Sequence, residues 1–525
     1  AFETLVKDAK VEAVMGAYNR VEGEPACAHK FLMEDVLRGE WGFEGHYVSD
    51  CWAIRDFHEN HKVTKNSTES AALALNTGCD VNCGCTYEYI LDALREGLIT
   101  EEAIDRSLIR LFTTRFLLGM FEPCEYDEIG YSEVESKEHI KLAKKAARKS
   151  IVLLKNNGIL PLDVTKLNSI GVIGPNANSR ASLIGNYHGT SSRYVTVLEG
   201  IQKVCDKNDI RVHYSDGSHL FKERVENLAF DDDRISEAVI VAKNSDVVVL
   251  VVGLDETLEG EEGDTGNSYA SGDKETLNLP ASQMRMIETL EAVGKPIILI
   301  NMTGSAMDLA FAKNNDTYGA ILQAWYPGCM GGKAIADILF GKISPSGKLP
   351  VTFYNSLDEL PDFEDYSMKG RTYKYMEYPA QYPFGFGLTY ANVEMTGASL
   401  ENEENAKSLI KSDNVYDGSI SVRANIKNTS GIKTDEVVQV YIKNHNSEYA
   451  VRNHSLCGFK RVGLDAFEEK EVTINIPSRA FMVVNEEGKY IQDGDKFTLY
   501  VGVSQPDEVS VSLCKVNPLK IEINL

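Results

Sequence analysis

The chain has 525 residues, 43% of them hydrophobic and 25% charged, and a formal net charge of -24 at pH 7. This hydrophobic content argues against disorder, and the length exceeds what one core can serve, so several domains of ordinary size are expected. The negative balance repels phosphate backbones and anionic lipid, which argues against nucleic acid or a membrane surface as partner and favours a neutral substrate. No apolar run approaches the roughly 20 residues of a membrane span. The opening "AFETLVKDAKVEAVMGAYN" lacks the parts of a signal peptide, and the expected location is the cytoplasm.

Residues 1–120 alternate short apolar runs with helical patterns. In order these are "AVMGAY", the helix "HKFLMEDVLRGEW", "GHYVSD", the helix "STESAALALNTG", then "EYILDALREG" and "TEEAIDRSLIRLFTTRFLLGMF". Alternating strand and helix signals predict βα units on a parallel sheet, with Thr100 as an N-cap and Gly119 closing the last helix. Two or three strands are too few to close a barrel. Residues 121–147 read as a linker, and 148–385 as a second α/β domain. Its strand candidates "SIGVIGP" (169–175), "DVVVLVVG" (246–253), "KPIILINM" (295–302) and "YGAILQAWYPG" (318–328) are continuous apolar runs, the pattern of parallel strands covered on both faces. From 386 to 525 the period becomes two, in "SISVRANIKN", "VVQVYIKN", "EVTINIP" and "KFTLYVGV", which predicts an antiparallel β-sandwich of immunoglobulin or fibronectin type. Within it, "EYAVRNH" (448–454) is either part of a buttress or a loop reaching the rim of a site.

Most of the ten cysteines stand singly. "CDVNCGC" brings Cys79, Cys83 and Cys85 together, where they could hold a metal or form a disulfide with Cys27 or Cys51. Zinc sites draw paired Cys-x-x-Cys ligands, so no metal is assigned and reduced, partly buried thiols are expected.

Two carboxylate features could carry chemistry. Asp50 ends the apolar run "GHYVSD", and burying a carboxylate there is costly unless it is paired, hydrogen-bonded or used. The acidic loop "GLDETLEGEEGDTGNSYASGD" (253–273) comes after a predicted strand, on the ligand-binding edge of a parallel sheet. A pair of carboxylates can hydrolyse a glycosidic bond, one attacking the anomeric carbon and one protonating the leaving oxygen. A strand-end aspartate is also commonly a cap or turn residue, and an acidic loop is commonly solvated charge. The "PGCMGG" loop (327–332) lacks the lysine and hydroxyl of a phosphate-binding loop.

"GAYNRVEGEPACAHKFLMEDVLRGEWGFEGHYVSDCWAI" resembles the nucleophile region of glycoside hydrolase family 3. The resemblance continues in family order through "NNGILPL", "GVIGPNA", "ILQAWYPGCMGGKAIADILFGKISPSGKLPVTF", "YPFGFGLTY" and "GFKRVGLDAFEEKEVTINI". It implies the C-terminal part of a (β/α)₈ barrel beginning near strand six, an α/β sandwich domain and a fibronectin type III-like domain. It implies also that the missing N-terminal barrel segment of the same protein is required for activity. Carried over, Asp50 matches the nucleophile, Tyr18 the tyrosine beside it, and Met15 and Trp52 walls of the sugar subsite. Cys51 stands where many members have tryptophan, as in the β-xylosidase-like branch. Glu262 is preferred as acid/base, with Glu261 the alternative and Glu259 a third choice. Ser191 or Ser192 matches a hydroxyl offered to the sugar, and His188 is left out. The activity implied is a retaining exo-β-D-glycosidase releasing terminal glucose from short oligosaccharides or aryl β-glycosides, without metal or organic cofactor. β-Xylosidase is the alternative, and a non-catalytic carbohydrate-binding protein of the same fold a second one. The β-N-acetylhexosaminidase branch, with a histidine acid/base, often lacks the second and third domains present here. Whether the protein forms a homo-oligomer is left open.

Overall fold

The computed structural model describes residues 1–224, 228–261, 274–411 and 418–525. The chain forms two compact units, Ala1–Glu133 and Val134–Leu525.

In the first unit the strands Ala13–Gly16 and His46–Ser49 pair in parallel, from Ala13 opposite His46 to Gly16 opposite Ser49. A parallel bridge joins Val48 to Val81. Three segments therefore run in one direction, and the loops after Gly16, Ser49 and Val81 emerge at one edge. The segment Phe31–Glu40 winds as a π-helix, in which the amide of Trp41 donates to the Val36 carbonyl five residues back at 2.9 Å. It contributes Met33 and Leu37 to a core with Tyr47, Ile54, Phe57 and Ala74. The helix Ser67–Thr77 starts where the Asn66 side chain accepts the Glu69 amide and stops at Gly78, whose φ of +98° suits glycine. The helix Glu101–Leu117 comes directly after Thr100, but the Thr100 hydroxyl caps no backbone amide. It meets the Glu102 carboxylate instead and holds that carboxyl below its ordinary value. Phe112, Phe116, Leu117 and Phe121 stand exposed at the end of this helix.

The second unit is built on a six-stranded sheet in the order Val152–Asn156, Tyr318–Gln323, Ile297–Met302, Val247–Gly253, Ser169–Ile173, Arg211–Ser215. Every neighbouring pair is parallel except the first, which is antiparallel. Val247, Val249 and Val251 point into a core shared with the helices Val197–Cys205 and Gly331–Leu339. Val248, Leu250 and Val252 point to the other face, under the helices Ile235–Lys243 and Ala281–Glu291. Coverage on both faces is why these strands read as unbroken apolar runs. Both edge strands escape that pattern: Arg211–Ser215 carries Arg211 and His213, and Val152–Asn156 runs against its neighbour.

The C-terminal sandwich packs the sheet Val393–Leu400, Ser419–Asn428, Glu469–Pro477 on a four-stranded sheet made of Ser455–Leu464, Thr434–Asn444, Lys496–Gly502 and Leu519–Asn524. Alternate residues Ile420, Val422, Ala424 and Ile426 meet Val438, Val440, Leu499 and Val501 between them. The loop 448–454 is fixed to the α/β part of this unit. Asn453 Nδ2 donates to the carbonyls of Tyr373 and Met376, each at 2.9 Å, and Arg452 pairs with Glu377 at 3.0 Å. Within the unit this loop serves as a buttress.

Asp337, almost fully buried, takes hydrogen bonds from Lys333 and Arg148. Burial pushes its carboxyl up, but those bonds outweigh burial and hold it below the ordinary carboxylate value. A depressed acid contributes stability that is present above its unfolded value and lost as pH falls through the folded one. Thermal melts are expected to show the midpoint falling below about pH 4. Asp337→Asn is expected to lower the midpoint at neutral pH and to reduce this acid sensitivity.

Candidate active site

The backbone amide of Asp50 donates to the Gly16 carbonyl at 3.0 Å, the last link between the two paired strands of the first unit. Asp50 therefore leaves the sheet where the chain after Gly16 leaves it, and its Oδ1 accepts the Cys51 amide at 2.7 Å. Met15 lies on the neighbouring strand and Tyr18 just beyond it, 57% and 46% exposed, although both are apolar or aromatic. Trp52 is 43% exposed, with the Arg55 guanidinium 4.6 Å from the centre of its ring. Half-exposed apolar surface around a strand-end carboxylate suits the faces of a sugar ring, which carry C–H groups.

The strand ending at Asp50 is held by a buried ionic group. Asp80 accepts the Tyr47 amide at 2.9 Å, Arg38 Nη2 at 3.0 Å and Arg110 Nη1 at 3.1 Å. Its own amide returns to the Tyr47 carbonyl at 2.8 Å. One carboxylate so fixes the strand to the π-helix and to the long helix. Burial depresses the Arg38 guanidinium and nearby Arg110 adds to this, against the pull of Asp80.

The cysteine cluster departs from the expectation of reduced thiols: Cys51 and Cys83 form a disulfide. Parallel pairing of Val48 with Val81 brings the two loops together, and their Cα atoms are 4.4 Å apart. Cys27 and Cys79 remain free and buried, and Cys85 free and exposed. Among the described residues, no group of three or more His, Cys, Asp or Glu is placed to hold a metal ion, and no helix is long and apolar enough to cross a membrane.

In the second unit the strand Val247–Gly253 ends on Gly253, where φ is +143° and a Cβ would lie 2.0 Å from the Met302 carbonyl oxygen. Glycine lets the chain turn there into the acidic loop. Glu259 is caged: it accepts the Gly304 amide at 2.7 Å, the Tyr326 hydroxyl at 2.5 Å and the Ser305 hydroxyl, with Lys274 3.8 Å away. Burial and this carboxylate push the Tyr326 phenol far up. Burial pulls the Lys274 ammonium down, against the attraction of Glu259. Glu261 is exposed and accepts a hydrogen bond from the Tyr187 hydroxyl, and Glu256 pairs with His188 at 3.0 Å. Glu262 lies outside the described residues. The Ser191 hydroxyl donates to Glu135, which also receives the Ser192 amide at 2.9 Å, while Ser192 itself is exposed.

Sequence reasoning missed the partners of these groups. Asp80 sits inside "CDVNCGC", a motif that stands out for its cysteines, and Arg38 inside "LRGE", within a predicted helix. Tyr187 and His188 look like ordinary loop residues in the sequence, yet they hold the acidic loop.

Residues 1–114 match the Glycosyl hydrolase family 3 N terminal domain, residues 151–390 the Glycosyl hydrolase family 3 C-terminal domain, and 436–505 the Fibronectin type III-like domain. A xylan 1,4-beta-xylosidase of Xylanibacter ruminicola is 32% identical, over 91% of this chain and 70% of its own length. The chain belongs to glycoside hydrolase family 3. It is likewise 33% identical to a probable beta-D-xylosidase of Arabidopsis thaliana, over 96% of this chain and 67% of the relative. Among solved structures, a family 3 exo-beta-xylosidase in complex with a xylobiose aziridine probe superposes with TM-score 0.84 at 27% identity, over 100% of this chain and 67% of that one. A β-glucosidase from Erythrobacter marinus gives 0.82 at 29%, over 100% and 69%. The family 3 chain spans between 61% and 70% of the length of curated relatives such as these.

Removing one partner of a buried ionic group leaves an uncompensated charge. Asp80→Asn is therefore expected to destabilise the first unit by about 3 kcal/mol, measured by denaturant unfolding. A loss within the scatter of surface substitutions would contradict this account of the strand.

Proposed function

We propose that this family 3 chain acts as a retaining exo-β-D-glycosidase on terminal β-linked xylose, with Asp50 as nucleophile. The observation that carries the reading is the mounting of Asp50 at the end of a parallel strand beside the half-exposed Met15, Tyr18 and Trp52. The names of the relatives, β-xylosidases among them, support xylose over the glucose first expected. The substrate is a short oligosaccharide or aryl β-glycoside, and its neutrality suits the chain's net negative charge.

In the first displacement an Asp50 oxygen attacks the anomeric carbon while an acid protonates the leaving oxygen, and a glycosyl ester forms on Asp50. In the second, the same residue, now a base, takes a proton from water as the water attacks the anomeric carbon and releases Asp50. Tyr18 offers a hydroxyl to the charge that develops beside Asp50. The acid/base is assigned to Glu262, with Glu261 next to it as the alternative. The cage around Glu259 argues against that residue, because three donors already occupy its oxygens. A β-glucosidase is the second reading, favoured by the names of similar solved structures from Erythrobacter marinus and Listeria innocua. The disulfide favours an oxidising compartment over the cytoplasm first expected.

Turnover of p-nitrophenyl β-xyloside, β-glucoside and β-N-acetylglucosaminide by the full-length protein, with its N-terminal barrel segment, tests the reading. The xyloside is expected to be preferred in kcat/KM, and Asp50→Ala to lower kcat by about 1,000-fold or more with the fold kept. A glucoside preference selects the second reading. No turnover of any of the three by the folded full-length protein, with its N-terminal barrel segment, contradicts the hydrolase and leaves sugar binding. Glu262→Gln is expected to cost more on poor leaving groups than on activated aryl glycosides, because only the former need the proton. If Glu261→Gln shows that pattern instead, the assignment moves by one residue.

A further inference from the structure

Cys83 is bonded to each residue that flanks Asp50. Its amide donates to the Ser49 hydroxyl at 3.0 Å, its sulfur is joined to Cys51, and its carbonyl accepts the Trp52 amide at 2.8 Å. The Asn82 side chain adds a second bond to the Ser49 hydroxyl at 3.2 Å, and the Ser49 amide reaches the Val81 carbonyl at 2.9 Å. Asp50 sits between these pinned residues.

Trp52 has a φ of +69°, in the left-handed region that a bulky side chain adopts only when its surroundings impose it. The surroundings here are specific. Before Trp52 stands the disulfide, at its amide the Cys83 carbonyl, and after it the Arg55 amide bonded to its carbonyl at 2.8 Å. Gly84, next to Cys83, has a φ of +126°, and a Cβ there would lie 3.3 Å from the indole. The loop that supplies Cys83 thus also supplies the surface behind Trp52.

We propose that Cys51 and Cys83 are a positioning pair for the nucleophile: their disulfide fixes the Asp50 carboxylate and the adjoining indole in the geometry of attack. The inference rests on the reading of Asp50 as nucleophile. Opening the disulfide removes one of three links between Cys83 and this turn and leaves the strand pairing and the Asp80 group intact. The first unit then keeps its fold while the carboxylate gains freedom, and displacement by about 1 Å can cost a hundredfold in rate.

The test uses a 2-deoxy-2-fluoro-β-xylosyl fluoride, from which an Asp50 oxygen takes the anomeric carbon as the C–F bond breaks and fluoride leaves. The disulfide is opened with a water-soluble phosphine. The phosphine becomes its oxide with oxygen from water, and the two sulfurs each take a proton. In the reduced enzyme the second-order rate constant for labelling is expected to fall at least about tenfold, and re-oxidation to restore it. Affinity for a neutral sugar-like inhibitor is expected to change little, a split that loss of folded protein would not produce. Cys51→Ser should behave as the reduced enzyme. Cys85→Ser, at an exposed free cysteine, should behave as the parent and excludes thiol exchange.

An unchanged labelling rate in enzyme shown by mass to be reduced overturns the proposal. So does unfolding of both the reduced enzyme and Cys51→Ser at the assay temperature, since the disulfide would then serve stability alone. If the label in the oxidised enzyme maps to another carboxylate, the nucleophile reading itself fails, and the two failures are told apart.

Discussion

Asp80 is the constraint on which the first unit depends. A carboxylate removed from water needs partners, and this one has two guanidinium groups and a backbone amide on three different elements. Because the amide belongs to Tyr47, the ionic group grips the strand three residues before Asp50. Short strands have few ladder bonds to hold their register, and a slip of one residue would turn Asp50 to the opposite face. The ionic group, the Val48–Val81 bridge and the bonds at Cys83 all act against that slip.

The second unit meets the same demand in another way. Its central strands are buried on both faces, so the positions of their ends are set by packing. The acidic loop beyond Gly253 is then tied at several points. Glu259 is caged by Gly304, Ser305 and Tyr326, and Glu256 and Glu261 are held by His188 and Tyr187. Glutamates of one loop therefore stand in different surroundings. Glu259 is spent on holding the loop, whereas Glu261 is exposed and meets the Tyr187 hydroxyl.

The parts of this architecture that depend on burial were legible in the sequence. Ser169–Ile173, Val247–Gly253, Ile297–Met302 and Tyr318–Gln323 are unbroken apolar runs because both faces are covered, and the alternation of Ser419–Asn428 marks a sandwich strand. Edge strands were not legible. Arg211–Ser215 is half exposed, so its polar residues hide the period, and the direction of Val152–Asn156 depends on a partner far along the chain. At the site, the carboxylates could be named from strand ends and from resemblance, but their partners could not. Cys51 and Cys83 meet only because the strands before them pair, which spacing does not reveal. Asp80, Arg38 and Arg110 are likewise far apart in sequence and give no local pattern.

The central claim is that Asp50 forms the covalent bond to the sugar. Azide added to Asp50→Gly, with an activated aryl β-xyloside as substrate, tests it most directly, because the small anion can occupy the space the carboxylate leaves. The account predicts restored turnover and a glycosyl azide of α configuration, the product of one displacement from the face that Asp50 normally attacks. Activity near that of the parent without azide, or a β-configured azide, would contradict it.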